Sequence, residues 1–518
     1  MKPLLFRSHV VCVVILGVTL VLLPPALLAQ RVLTWHNDTE RTGRNLQETI
    51  LTPTNVNPTQ FGKKFSVTVD DQIIAQPLYA ANLAIPNQGT HNVVWVATEN
   101  DSVYAFDADN AGPPLWQVSL GPAVPCSDFG GTCAELNTVG ITGTPVVDPT
   151  TQTLYVDAFT KENGNYIHRL HALDCLTGAE KFGGPVVLQG SVPGTGAGSV
   201  GGILTFDPFW QNTRPALLLV NGVVYISAAT LHYGNFHGWI LGYDAKTLAQ
   251  VAVFNATPNA MRGGFWGSGA GPAADPGGNV IYALSADGTF DANTGGVDYG
   301  DSFLKLGTKA GLSVLDYFTP SDQATLDSED YDLGAGGLVI LPKEAGGSQP
   351  ELIGSGKEGV IYVVNANNMG KFNPNSNNIL QTLTGSANIC GGGAGTPAYF
   401  NHAVYYSGCN DTLKMFSVTN GLLSTTPVSQ STTLFQIGAT PSISANGSTN
   451  GIVWIIKSLG TGSALCAYDA SDVSKFLYQS NQNIARDALG FTHFAVPTVA
   501  KGKVYIGTYN SLVVYGLL

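Results

Sequence analysis

One unit recurs along the chain, and a recurring unit constrains a fold more than any single motif does. Thr144–Tyr155, Arg214–Tyr225 and Gly271–Tyr282 each have Pro in second place and Tyr ten residues after it. Each reads as a strand, a turn and a second strand. Looser copies begin at Pro77, Gly337, Pro397, Pro441 and Pro497. The second strands carry Trp95, Tyr155, Tyr225, Tyr282, Leu352, Tyr405, Trp454 and Tyr505, spaced 49 to 70 residues apart. A third strand follows and ends on an aromatic or Leu and then Asp, as in Val103–Asp107, Leu170–Asp174, Leu241–Asp244 and Leu465–Asp469. A fourth is visible at Leu115–Ser119. Eight copies of a four-stranded antiparallel unit predict an all-β fold, a single eight-bladed β-propeller. The last copy runs out of chain after its third strand. A spare strand near 61–69, containing Phe65–Val69, is expected to complete it and close the ring, which removes exposed sheet edges.

Composition agrees with this reading. Only 12% of residues are charged, about half the usual ~25%, and Gly supplies 62 of 518. Stacked blades bury both faces of most strands, so few positions are left for charge, and tight turns use the Gly. A coiled coil is excluded, and so is charged disorder. Residues 1–29 read as an export signal: Lys2 and Arg7, an apolar run from Val10 to Leu23, Pro24-Pro25, and small residues at Ala26 and Ala29. The run is shorter than the ~20 residues of a membrane span. The mature chain, 30–518, is expected in the periplasm or outside the cell, with no membrane attachment. Without Lys2 and Arg7 it has 22 basic and 36 acidic residues, a net charge of −14, which excludes a nucleic-acid partner. No CxxCH occurs, so no haem is expected, and no CxxC or HExxH marks zinc. Six cysteines remain, an even number that permits disulfides in an exported protein. Cys126–Cys133 and Cys390–Cys409 are the expected pairs, with Cys175 and Cys466 as buried thiols.

In a propeller, the loops between blades and those between second and third strands share one face. The turns after first strands lie on the other, so Asp148 and Asp275 read as turn formers. The first face, here called the top, collects the Cys126–Cys133 loop, His232, Asn235, His237 and Trp266. It also collects Asp287, Asp291, Asp298, Asp301, Asp330, Asp332, Lys357 and Glu358. The mouth of the central channel on that face is the natural ligand site. His232 and His237, without a third ligand, read as hydrogen-bonded loop residues.

The blades resemble those of the pyrroloquinoline quinone (PQQ) alcohol dehydrogenases. The likeness is sharpest from Gly263-Gly-Phe-Trp266 through Ala273–Pro276 and Asn279–Tyr282 to Ser285–Gly288, with Tyr299-Gly-Asp301 and Gly356-Lys357 beyond. It implies Trp266 as the floor beneath a quinone and Lys357 as the basic residue at a quinone oxygen. Asp287 stands where the family has a Ca²⁺-binding Asn. Asp301 stands at the metal-adjacent catalytic base and would also approach the metal. The implied cofactors are PQQ and Ca²⁺, with an external electron acceptor. The chain departs from the family in three places. It lacks adjacent cysteines between blades one and two. It has no acid from Gly183 to Phe206, where a Ca²⁺-binding Glu belongs. It also has no Arg near Asn137-Thr138.

Three functions are compatible with these residues: a PQQ- and Ca²⁺-dependent dehydrogenase of alcohols or sugars; a non-catalytic propeller binding a protein, glycan or small ligand on its top face; and an enzyme of another class, such as a glycan lyase or hydrolase, using the same face.

Overall fold

The structure, a computed structural model, describes residues 30–518 except 131–132, 134–135, 232–233, 386–387 and 390–394. The expected signal segment 1–29 lies outside the described residues. Eight antiparallel sheets form the blades, and their first strands start at Leu78, Val146, Leu218, Ala273, Leu338, Ala398, Ser442 and Thr498. These are the eight copies read in the sequence. In the eighth sheet Phe61–Thr68 pairs antiparallel with Ser511–Leu517, so an N-terminal strand supplies the outermost strand and closes the ring. No helix of the described residues is long and apolar enough to cross a membrane.

The register explains the repeat signature. Trp95, Tyr155, Tyr225 and Trp454 lie directly opposite Ala105, Ala172, Gly242 and Ala467 on the third strands, small partners that leave room for a large ring. In four copies the polar tip of the second-strand aromatic reaches the next blade. Trp95 Nε1 donates to Cys175 O, Tyr155 Oη to Ala245 O, Tyr405 Oη to Ala470 O and Tyr505 Oη to Ala108 O. Every one of those carbonyls belongs to the residue after a third-strand Asp. The Asp side chains accept from backbone N–H groups two residues on, at Asp109, Leu176, Lys246 and Ser471, and so fix the turns that present the carbonyls. In these four copies one aromatic and one Asp thus staple neighbouring blades, at about 1 kcal/mol net per hydrogen bond. Asp148 and Asp275 likewise form turns, accepting from Thr150 N and Gly277 N.

Residues 31–45 have no counterpart in the repeat. They run inside the ring along the inner edges of first strands. Val147 N, Ala274 N, Ile340 N, Tyr399 N and Ile443 N donate to Leu33 O, Thr39 O, Glu40 O, Thr42 O and Gly43 O. Arg41, with no exposed surface, donates to Pro272 O and Leu217 O, which extends the lacing to blades three and four. Gly43 closes a turn onto His36 O at φ +76°, and a Cβ there would lie 2.3 Å from His36 Nε2. Otherwise unpaired inner edges are satisfied in this way. The axis is filled beneath the top face, where Trp35 packs on Ala216, Ala270 and Val496.

Candidate functional site

Two groups of charged residues lie in the top-face loops. The first lies at blades four and five. The loop after the second strand of blade four places Asp287, 2% exposed, against Arg262, with Nη1 to Oδ2 at 3.0 Å. The connection to blade five brings Asp330 and Asp332, and Lys357 joins them from the blade-five loop at 2.9 and 2.6 Å. One oxygen from each of Asp287, Asp330 and Asp332 lies within 4.8 Å of the others. Burial, and then the Asp332 charge, push the Asp287 carboxyl up to about 8. The two carboxylates hold Lys357 above its ordinary value despite its burial.

Asp301 is not in this group. It sits at φ +44° with no exposed surface. Its Oδ1 accepts from Leu333 N at 3.1 Å and its Oδ2 from Gln323 Nε2 at 3.4 Å. Its carboxylate therefore ties down the connection between blades four and five, and burial pushes it well above the usual carboxylate range.

The second group surrounds Arg214, which precedes the first strand of blade three. Its guanidinium Cζ lies 4.9 Å from the centre of the Trp266 ring and 4.8 Å from that of Phe494. Phe236 meets Trp266 edge-on at 6.1 Å. No carboxylate lies within salt-bridge distance of Arg214 among the described residues, and its buried Nε has no hydrogen-bond partner. Burial lowers its pKa to about 10, while the charges of Asp332 and Glu99 oppose the fall. Glu99, from the blade-one loop, is fully buried. Its Oε2 accepts from Gly140 N at 2.8 Å and Thr142 Oγ1 at 3.2 Å, and its Oε1 has no partner. Burial pushes it up to about 7.

A cavity of about 240 Å³ opens beside this group, with Ser268, Ile437, Thr440, Ile456, Phe491 and Phe494 in its wall. Ser268 and Phe494 have φ of +47° and +49°, a conformation that is rare for a bulky aromatic and that clusters at ligand-contacting positions. Cys126 and Cys133 form a disulfide in the connection between blades one and two. Cys409 is also disulfide-bonded, and its expected partner Cys390 lies outside the described residues. Cys175 and Cys466 are buried thiols. His237 bonds to Thr257 O and Ala197 O through its two ring nitrogens, and His232 lies outside the described residues.

The sequence matches no family model and no curated protein. Solved structures do match in fold. A europium-containing methanol dehydrogenase is similar at TM-score 0.61 and 13% identity, over 94% of this chain and 98% of its own. A quinohemoprotein alcohol dehydrogenase from Pseudomonas putida is similar at 0.59 and 14%, over 94% and 80%. One from Comamonas testosteroni is similar at 0.56 and 13%, over 94% and 80%. The fold is that of the quinoprotein alcohol dehydrogenases.

The residues fit unequally the two cofactors that the sequence resemblance implies. Asp287, Asp330 and Asp332 offer hard oxygen donors of the kind Ca²⁺ takes, although Arg262 and Lys357 already neutralise part of their charge. The quinone fits less well. Trp266, its expected floor, carries the Arg214 guanidinium, and Lys357, its expected polar contact, is held by two carboxylates. Arg214 and Phe494 were not singled out from the sequence. A signal for the Arg exists there. The residue before the repeat Pro is Gln76, Thr144, Gly271, Thr396, Thr440 and Val496 in six other copies, and Arg214 alone is charged at that ring position.

Proposed function

We propose that the protein is an exported propeller of quinoprotein architecture that binds a small ligand in the top mouth of its channel and performs no quinone redox chemistry. One observation carries this reading: the Trp266 ring that would floor a quinone is covered by Arg214 from the same chain. The mouth is built for binding. Phe491, Phe494, Ile437 and Ile456 supply apolar wall, and Ser268 and Thr440 supply hydroxyls. Few polar groups on a largely apolar concave surface are what small-ligand sites use. The signal-like segment 1–29 and the disulfides support export. Purified protein incubated with PQQ and Ca²⁺ and assayed for dye-linked oxidation of ethanol and glucose is expected to show no turnover above the protein-free control. Saturable turnover would overturn the reading.

A second reading, oxidation of alcohols or sugars with PQQ and Ca²⁺, draws support from the convergence of Asp287, Asp330 and Asp332. In it these carboxylates hold the ion. Asp301 would need to leave its bonds to Leu333 N and Gln323 Nε2 before acting as a base.

A further inference from the structure

Resting on the binding reading above, we infer that Arg214 is the receptor for a carboxylate on the ligand, and that the mouth takes a small monocarboxylate with an apolar or aromatic body. Arginine carries five N–H donors and no acceptor. Arg214 is half-buried with its Nε enclosed, and a guanidinium drawn that far from water is ordinarily paired, because an unpaired charge out of water is costly. Arg41, the other arginine on the axis, follows that rule: it donates to Thr34 Oγ1 and to the carbonyls of Trp35, Pro272 and Leu217. Arg214 makes no hydrogen bond with its side chain among the described residues and has only the rings of Trp266 and Phe494 against it. Rings engage a guanidinium through its π-faces, which leaves the N–H edges free. A planar, two-oxygen acceptor lying in the plane of the guanidinium matches those edges, and a carboxylate provides that geometry bidentately.

The surroundings narrow the class further. Glu99 and Asp332 both act on Arg214 but form no salt bridge with it. Their field disfavours a dianion, so a phosphate or sulfate suits this place less than a singly charged carboxylate. The ligand body has a place to go. Phe494, which packs on Arg214, also lines the cavity of about 240 Å³, whose wall includes Phe491, Ile437 and Ile456. Trp266 lies against the proposed contact, so binding there alters its fluorescence.

The test is an equilibrium titration of the full mature protein with sodium benzoate, read by calorimetry and tryptophan fluorescence at fixed ionic strength. The neutral isostere benzamide and sodium sulfate are titrated in parallel. Benzoate is expected to saturate one site. Benzamide and sulfate are expected to bind at least ~10-fold more weakly, as for loss of a charge-assisted hydrogen-bonded pair. Arg214→Gln should lose benzoate binding by at least ~10-fold, and Arg214→Lys, which keeps the charge without the fork, should recover part of it. No saturable benzoate binding, equal binding of benzamide, tighter binding of sulfate, or an Arg214→Gln variant that binds unchanged would each overturn the inference. If Arg214→Gln does not fold, the benzoate–benzamide pair on the wild-type protein decides alone. The two failures stay distinct: loss of benzoate binding with no PQQ turnover rejects only the carboxylate, whereas PQQ-dependent turnover rejects the binding reading itself.

Discussion

The two sides of the channel mouth solve the problem of buried charge in opposite ways. At blades four and five, Arg262, Asp287, Asp332, Lys357 and Asp330 form a chain of contacts in which each charge has a partner. Around Arg214, one half-buried cation faces two aromatic rings and has no carboxylate within salt-bridge distance among the described residues. A self-neutralised network holds loops in place and asks nothing of solvent. An unpartnered, half-buried guanidinium leaves donors for something else. On the proposed reading the paired group is chiefly architecture and the unpaired group takes the ligand.

The contrast can be broken most forcefully at Lys357. Lys357→Ala leaves Asp332, 5% exposed, facing Asp287 without its cation. Loss of one partner from a buried pair is expected to cost about 3 kcal/mol, read as a lowered midpoint in urea denaturation. A loss below about 0.5 kcal/mol would mean that the network is not structural.

The next effect is pH dependence. Asp287 and Glu99 have carboxyls pushed up to about 8 and about 7 by burial. Between the unfolded values of about 4 and these folded values, the native state binds more protons than the unfolded chain. Their contribution is fully present below about pH 4 and is lost as pH rises through 7 to 8, so Tm should fall across that range. Asp287→Asn should flatten the part of the fall nearest pH 8. A Tm that rises from pH 6 to 8 in the wild type and is unaltered in Asp287→Asn would contradict the assignment.

The smallest effect is expected at Arg214. Because no ion pair is lost, Arg214→Leu should change unfolding free energy by less than about 1 kcal/mol, in either direction. A loss comparable to that of Lys357→Ala would show that Arg214 is structural after all and would erase the difference between the two sides.

The fold was legible because half of the copies carry the same stapling device. An aromatic on the second strand and an Asp before a presented carbonyl recur at fixed places, so Tyr155, Tyr405 and Tyr505 mark blade interfaces as well as strands. The laced segment 31–45 was not legible, because it acts through backbone hydrogen bonds to strand edges and needs no periodic side chains. Part of the site was visible too. Asp287, Asp330, Asp332 and Lys357 share the face assigned to them, since loop position alone sets the face. Asp301 could not be placed that way, because its left-handed backbone turns the carboxylate toward Leu333 and Gln323. Trp266 stood out as an aromatic platform, but what covers it comes from another inter-blade connection.

The central claim is that Arg214 occupies the place on Trp266 that a quinone would need. Absorbance titration of PQQ, with Ca²⁺ present, into the wild-type protein and Arg214→Ala tests it directly. The account predicts no saturable binding to the wild type and at least ~10-fold tighter binding to the variant, in which the Trp266 ring is uncovered. Saturation of the wild type at one equivalent, with Arg214→Ala binding equally or more weakly, would contradict it.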